Sequence, residues 1–271
     1  MILLPPETIE VNQQLLDEAD QDLKSIYRLI VFGERYHAVD LLNRYQEAIQ
    51  HLQTVLGIKN AQQEAQSVEE AREYLRHLKA CMAMIIVEIS EQRNFERPAD
   101  LLRLFRVITP ESAAHHPNSF RQTCVQFGPF FAPEPSEING LIEQLFAILP
   151  ELPHPLIRAA YLHHELVRIH PFVDGNGRVS RMAKNWLLMY DLYPPIFIYG
   201  IDEHHRYISS LQNSFLDLAR DPHHFGEHTK AFFASELRRI KASTGFILNR
   251  MRNNPQIMFG KEDLDSTPYR A

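Results

Sequence analysis

Apolar residues recur at three- and four-residue spacing along most of the chain, which is the period of an amphipathic helix. Leu15, Leu16, Ala19, Leu23, Ile26 and Ile30 form one series, and Ala38, Val39, Leu42, Tyr45, Ile49 and Leu52 a second. Two antiparallel helices are predicted, with Gly57 closing the second. Ser67 and Glu70 make a capping box ahead of Ala71, Leu75, Leu78, Met82, Ile85, Ile86 and Ile89, so a long, well-buried helix is expected over 67–91. Pro98 starts a shorter helix through Leu101, Leu102 and Phe105, and Pro110 with His115-His116-Pro117-Asn118 signals a loop.

The period changes between 119 and 136. Phe120, Thr123, Val125, Phe127, Phe130 and Phe131 are strand formers interrupted by Gly128-Pro129, a pattern that predicts a short hairpin. Such a hairpin has open edges, which either receive a partner peptide by strand addition or are covered by helices. Helical spacing returns with Ile138, Leu141, Ile142, Leu145 and Phe146, and again, after Pro150, Pro153 and Pro155, with Leu156, Ala159, Ala160, His163, Leu166 and Val167. Because a residue before proline avoids the helical region, this second helix should stop near Ile169 and present His170 at its end. A further face runs from Val179 through Met182, Ala183, Trp186 and Leu187 to Tyr190, closed by Tyr193-Pro194-Pro195. Asp202 is the expected cap of a helix carrying Tyr207, Ile208, Leu211, Phe215 and Leu218. A last helix carries Phe232, Phe233, Leu237 and Ile240, and the pattern fades beyond Asn253.

Composition narrows the class. Hydrophobic residues at 45% and charged residues at 23% are those of a folded globular chain. A net charge of −6 disfavours general nucleic-acid binding. Cys81 and Cys124 make no metal-like pair and are expected as reduced thiols in a cytoplasmic setting. No apolar run approaches the ~20 residues of a membrane span, and no signal peptide is expected.

The chemistry concentrates in His170-Pro171-Phe172-Val173-Asp174-Gly175-Asn176-Gly177-Arg178-Val179-Ser180-Arg181. A loop leading into a helix offers free N–H groups and the positive end of the helix dipole to an anion. Gly175 and Gly177 let a ligand approach the backbone. Arg178 and Arg181, three apart, reach toward one phosphate chain. Asp174 is placed to hold Mg²⁺, and His170 titrates where a general base for an incoming hydroxyl is needed. The set points to phosphoryl or nucleotidyl transfer. The pairs His163-His164, His204-His205 and His223-His224 do not suggest a transition-metal site, since adjacent helical residues point to different sides.

These twelve residues match, position by position, the Fic-domain signature His-Pro-Phe-x-(Asp/Glu)-Gly-Asn-Gly-Arg-x-x-Arg, and the chain resembles that family over roughly 119–233. The resemblance implies a mainly α fold: a helical core with a small β-hairpin flap, and a helical N-terminal region. The corresponding division is 1–110 for the N-terminal helices, 111–240 for the core, and 241–271 for a helix end and loose tail. It further implies Mg²⁺-dependent transfer of AMP from ATP to a Tyr, Thr or Ser hydroxyl of a target protein. His170 would be the base and Asp174 the Mg²⁺ ligand; Gly175, Asn176, Gly177, Arg178 and Arg181 would hold the phosphates, with Asn185 and Tyr207 also contacting the nucleotide. The target would pair with the flap at 120–133. Removal of AMP, another nucleotidyl or phosphoryl transfer, and a non-catalytic nucleotide-binding module are the alternatives. The inhibitory pattern (Ser/Thr)-x-x-x-Glu-(Gly/Asn) of many relatives is absent from the sequence, its nearest counterpart being Asn43-Arg44-Tyr45-Gln46-Glu47-Ala48. Inhibition then comes from a partner in trans, from a diverged glutamate, or not at all. Where many relatives carry paired aromatics, Tyr207 is followed by Ile208.

Overall fold

The computed structural model describes residues 1–32, 38–51, 57–115, 119–198 and 200–253. Among them the chain runs through α1 (Gln13–Phe32), α2 (Ala38–His51), α3 (Gly57–Glu64), α4 (Val68–Ser90), α5 (Pro98–Ile108) and the short α6 (Pro110–Ala113). The hairpin β1 (Gln126–Phe127) and β2 (Phe130–Phe131) follows, then α7 (Ile138–Ile148), α8 (Pro155–Ile169), α9 (Asn176–Tyr190), α10 (Ile201–Arg220) and α11 (Glu227–Asn253). The mainly α class with one small hairpin is as expected. The tail beyond 253, expected to be loose, lies outside the described residues.

α8 is the axis of the core. Periodicity suggested one buried face, but the helix is buried on all sides, with His163, His164, Glu165 and Arg168 enclosed alongside Leu162, Leu166 and Ile169. Enclosed polar groups must find partners. His164 meets Glu165 and the Ser214 hydroxyl of α10, while Arg168 pairs with Glu165 at 2.5 Å and donates to the Ile2 carbonyl. Leu4, fully buried, accepts from the Tyr161 hydroxyl through its carbonyl, so the 1–4 segment lies against α8. α9 packs along α8, and α11 along α1 and α10.

Capping chemistry explains several boundaries. The Ser67 hydroxyl accepts from the Glu70 N–H at 3.1 Å and starts α4, while the Glu70 carboxylate reaches back to the Gln66 N–H. α4 is less buried than its pattern suggested. Tyr74, Leu78, Cys81, Met82 and Ile85 face inward, but Ile86 is 48% and Val87 51% exposed. Gly57 does not close α2: it opens α3, where a side chain would meet Leu78 Cδ2 at 2.9 Å. Asp202 does not cap α10, whose N-cap is Gly200 (φ 90°), two residues earlier; the carboxylate lies in the first turn, where it complements the helix dipole.

The hairpin is shorter than its strand-forming residues implied. Only Gln126↔Phe131 and Phe127↔Phe130 pair, around Gly128 at φ 57°, with one more bond from the Ala132 N–H to the Val125 carbonyl. Phe130 turns inward against Phe215 of α10, and Phe131 is 75% exposed.

Candidate active site

His170 ends α8 in the left-handed conformation (φ 52°, ψ 59°), with its N–H still bonded to the Leu166 carbonyl. Non-glycine residues occupy this region rarely and need support to stay there. One support is its ring: Nδ1 lies 3.1 Å from the Val167 carbonyl, which only accepts, so Nδ1 carries the proton and Nε2 holds the lone pair. Burial holds the imidazole below its usual pKa, with Arg121 pushing the same way and the Val167 carbonyl and Asp174 opposing. His170 is thereby neutral near pH 7, and Phe127 of the flap sits 5.8 Å from its ring.

The turn that follows is locked by Asn176, whose side chain accepts from the Phe172 N–H at 2.9 Å and donates to the Phe172 carbonyl at 2.8 Å. Gly175 (φ 81°) is the N-cap of α9; a Cβ there would lie 2.4 Å from Thr109 Cγ2. The first helical bond is from the Val179 N–H to the Gly175 carbonyl, leaving the N–H groups of 176–178 without partners inside the helix. Arg178 is held by Glu111 at 2.7 Å and Asp174 at 3.3 Å, and lies over the Tyr74 ring, 5.6 Å from its centroid. Arg181 is buried beside Gly177, where a Cβ would meet its Nη1 at 3.1 Å.

These groups share a cavity of about 670 Å³. His170, Asp174, Gly175, Asn176, Gly177, Arg178 and Arg181 all line it, as do His204 and Ile208 of α10. Its far wall, made by Gln66, Glu70, Glu73, Tyr74 and His77 around α4 and by Glu111, was not read from the sequence, because nothing local ties α4 to a loop a hundred residues away. A carboxylate on the first signature arginine, from Glu111, was also missed. Glu47 is exposed on α2, and the side chains of Asn43 and Arg44 lie outside the described residues.

Asn185 and Tyr207 do not line the cavity. Asn185 is fully buried and clamps Ile196 through both backbone groups at 3.0 Å, fixing the segment after Pro194-Pro195. The Tyr207 hydroxyl is 2.8 Å from His163 Nε2, inside a network in which Glu236 meets His163, Lys184 and Arg239 at 3.2, 2.5 and 2.5 Å. Burial lowers His163 to about 3 and Lys184 to about 8. Burial pushes Glu236 upward, but Lys184, His163 and Arg239 overcome it and hold the carboxyl well below its usual range.

Among the described residues no three His, Cys, Asp or Glu side chains converge as a metal cluster. Mg²⁺ does not require such a cluster, and the Asp174 carboxylate is of a kind that suits it. The Asp174 side chain is 70% exposed at the cavity mouth, and Mg²⁺ commonly binds through one or two carboxylates, several waters and substrate phosphates. No helix among the described residues is long and apolar enough to cross a membrane.

Residues 97–188 match the family model described as Fic/DOC. A protein adenylyltransferase Fic from Culex quinquefasciatus is 32% identical over 197 residues, covering 71% of this chain and 39% of that protein. One from Aedes aegypti is 33% identical over 153 residues, covering 55% and 30%. The chain thus spans well under half the length of these relatives. Among solved structures, a Fic-domain signalling protein from Bacteroides thetaiotaomicron superposes with a TM-score of 0.65 at 19% identity, covering 88% of this chain and 99% of that one. With the matched segment, the helical fold and the complete loop at 170–181 in agreement, residues 97–188 form a domain of the Fic/DOC family.

Proposed function

We propose that the chain transfers AMP from ATP to a Tyr, Thr or Ser hydroxyl of a target protein. The observation that carries this is the convergence, in one cavity, of a neutral histidine with Nε2 unprotonated, the N-terminus of α9 and two arginines. In this reading the target hydroxyl gives its proton to His170 Nε2 as its oxygen forms a bond to the α-phosphorus. The bond from the α-phosphorus to the bridging oxygen breaks, and pyrophosphate leaves with its charge held by Arg178 and Arg181. The N–H groups of 176–178 face the phosphates through the backbone, since the Asn176 side chain is committed to Phe172. Mg²⁺, held by Asp174, would neutralise phosphate oxygens. The relatives named protein adenylyltransferase support this reaction over phosphoryl transfer.

Target binding is assigned to the flap. Phe131 is exposed at its edge and Phe127 contacts His170, so a strand added there would run past the base. Mass spectrometry of a lysate incubated with the protein and ATP tests the assignment: it should find AMP adducts on Tyr, Thr or Ser, and phosphate adducts alone would contradict it.

A further inference from the structure

The flap and the 169–171 backbone are joined by a residue that takes no part in the proposed bond changes. Arg121 is 1% exposed, and all four acceptors of its guanidinium are main-chain carbonyls. Two are on the hairpin side: Nη1 donates to Thr123 at 2.8 Å and Nη2 to Pro133 at 2.6 Å, on either side of the strands. Two are on the catalytic side: Nε donates to His170 at 2.7 Å and Nη2, more distantly, to Ile169 at 3.4 Å. The Arg121 N–H adds a fifth link, to the Pro171 carbonyl at 2.9 Å.

We propose that Arg121 is a positioning residue that makes the flap and the 169–171 backbone one mechanical unit, so that a target strand on the hairpin and the orientation of His170 are set together. This rests on the transferase reading given above. The last carbonyls of a helix have no N–H partner within it, and a cation there also suits the helix dipole. A planar guanidinium spreads five donors over three nitrogens and so reaches carbonyls on two sides at once, whereas a lysine ammonium gathers its three donors on one nitrogen and spans less. Enclosing a cation without a carboxylate partner is costly, and burial accordingly lowers the Arg121 pKa. That cost is matched by a specific geometric demand: His170 must be kept in a left-handed conformation that few side chains adopt, and its carbonyl is the one that Nε grips. Phe127, 5.8 Å from the His170 ring, couples the two parts again through the side chains.

Native-state hydrogen exchange of the full chain, followed by mass spectrometry at rising denaturant, reads the coupling directly. In the wild type, the amides of Ala132, His170 and Phe172 should open in one event with a common denaturant slope; separate openings overturn the proposal, whatever any variant does. In Arg121→Lys and Arg121→Gln, protection of 123–133 and 169–173 should fall together by about tenfold or more, the loss of one or two charged hydrogen bonds, while α4 and α11 keep theirs. Faster flap exchange with an unchanged loop contradicts it. In the transfer assay both variants should raise KM for the target and lower kcat, leaving KM for ATP unchanged; an equal rise in KM for both substrates contradicts a positioning role. If the wild type transfers no AMP but the exchange results hold, the transferase reading fails and the coupling stands.

Discussion

His170 is held by three restraints of different origin: the Val167 carbonyl on Nδ1, the Arg121 guanidinium on its carbonyl, and Pro171 after it, which ends α8. Their joint product is a neutral base with its lone pair free. His170→Ala should therefore lower the transfer rate by about 10²-fold or more, the scale of general-base removal, while ATP affinity by calorimetry stays near wild type. The pH dependence follows from the sign of the shift. Since burial lowers the His170 pKa, the neutral form persists below the usual ~6.5, and the acid limb of kcat/KM should fall below that value. A limb above it would contradict the assigned environment. Gly175 meets a different demand: Gly175→Ala imposes a left-handed alanine and a contact with Thr109, costing about 1–2 kcal/mol in backbone strain before the clash is counted. Thermal unfolding should show the loss, and an unchanged Tm would mean the turn relaxes without strain.

At the scale of elements, Glu236 does what no local pattern announces. From α11 it reaches His163 of α8 and Lys184 of α9, and Arg239 carries the network on to Glu203 of α10. Breaking a buried pair strands a charge, so Glu236→Ala should cost about 3–5 kcal/mol, seen as a lowered denaturant midpoint. A loss under about 1 kcal/mol would show that water repairs the site. Most helices were legible from spacing and caps, because each satisfies a local rule: Ser67 starts α4 as read, and Pro171 ends α8 as read. What failed was burial and tertiary partnership. Tyr207 reads as a ligand contact but is drawn inward by His163, and Asn185 by the Ile196 backbone, since a buried polar group takes the partner the fold brings to it. Arg121 passed unnoticed because its five bonds join segments about fifty residues apart.

For the whole molecule, the cavity joins a loop legible in sequence to a wall that was not. Glu111, from the start of α6, puts a carboxylate on Arg178; in the proposed reaction a phosphate would bind there, and the two anions would compete. Glu111 is half exposed, so the pair is a modest one; Glu111→Gln should tighten ATP about two- to fivefold, less at high salt, and weaker binding would make Glu111 a support rather than a competitor. In the proposed reaction this cavity moves AMP and not phosphate. Its most direct test is to incubate the wild type and His170→Ala with target protein and ATP labelled at the α- or at the γ-phosphate. Protein-bound label should come from the α-position alone and be lost in His170→Ala; label from the γ-position, or α-label undiminished by the substitution, would contradict AMP transfer by His170.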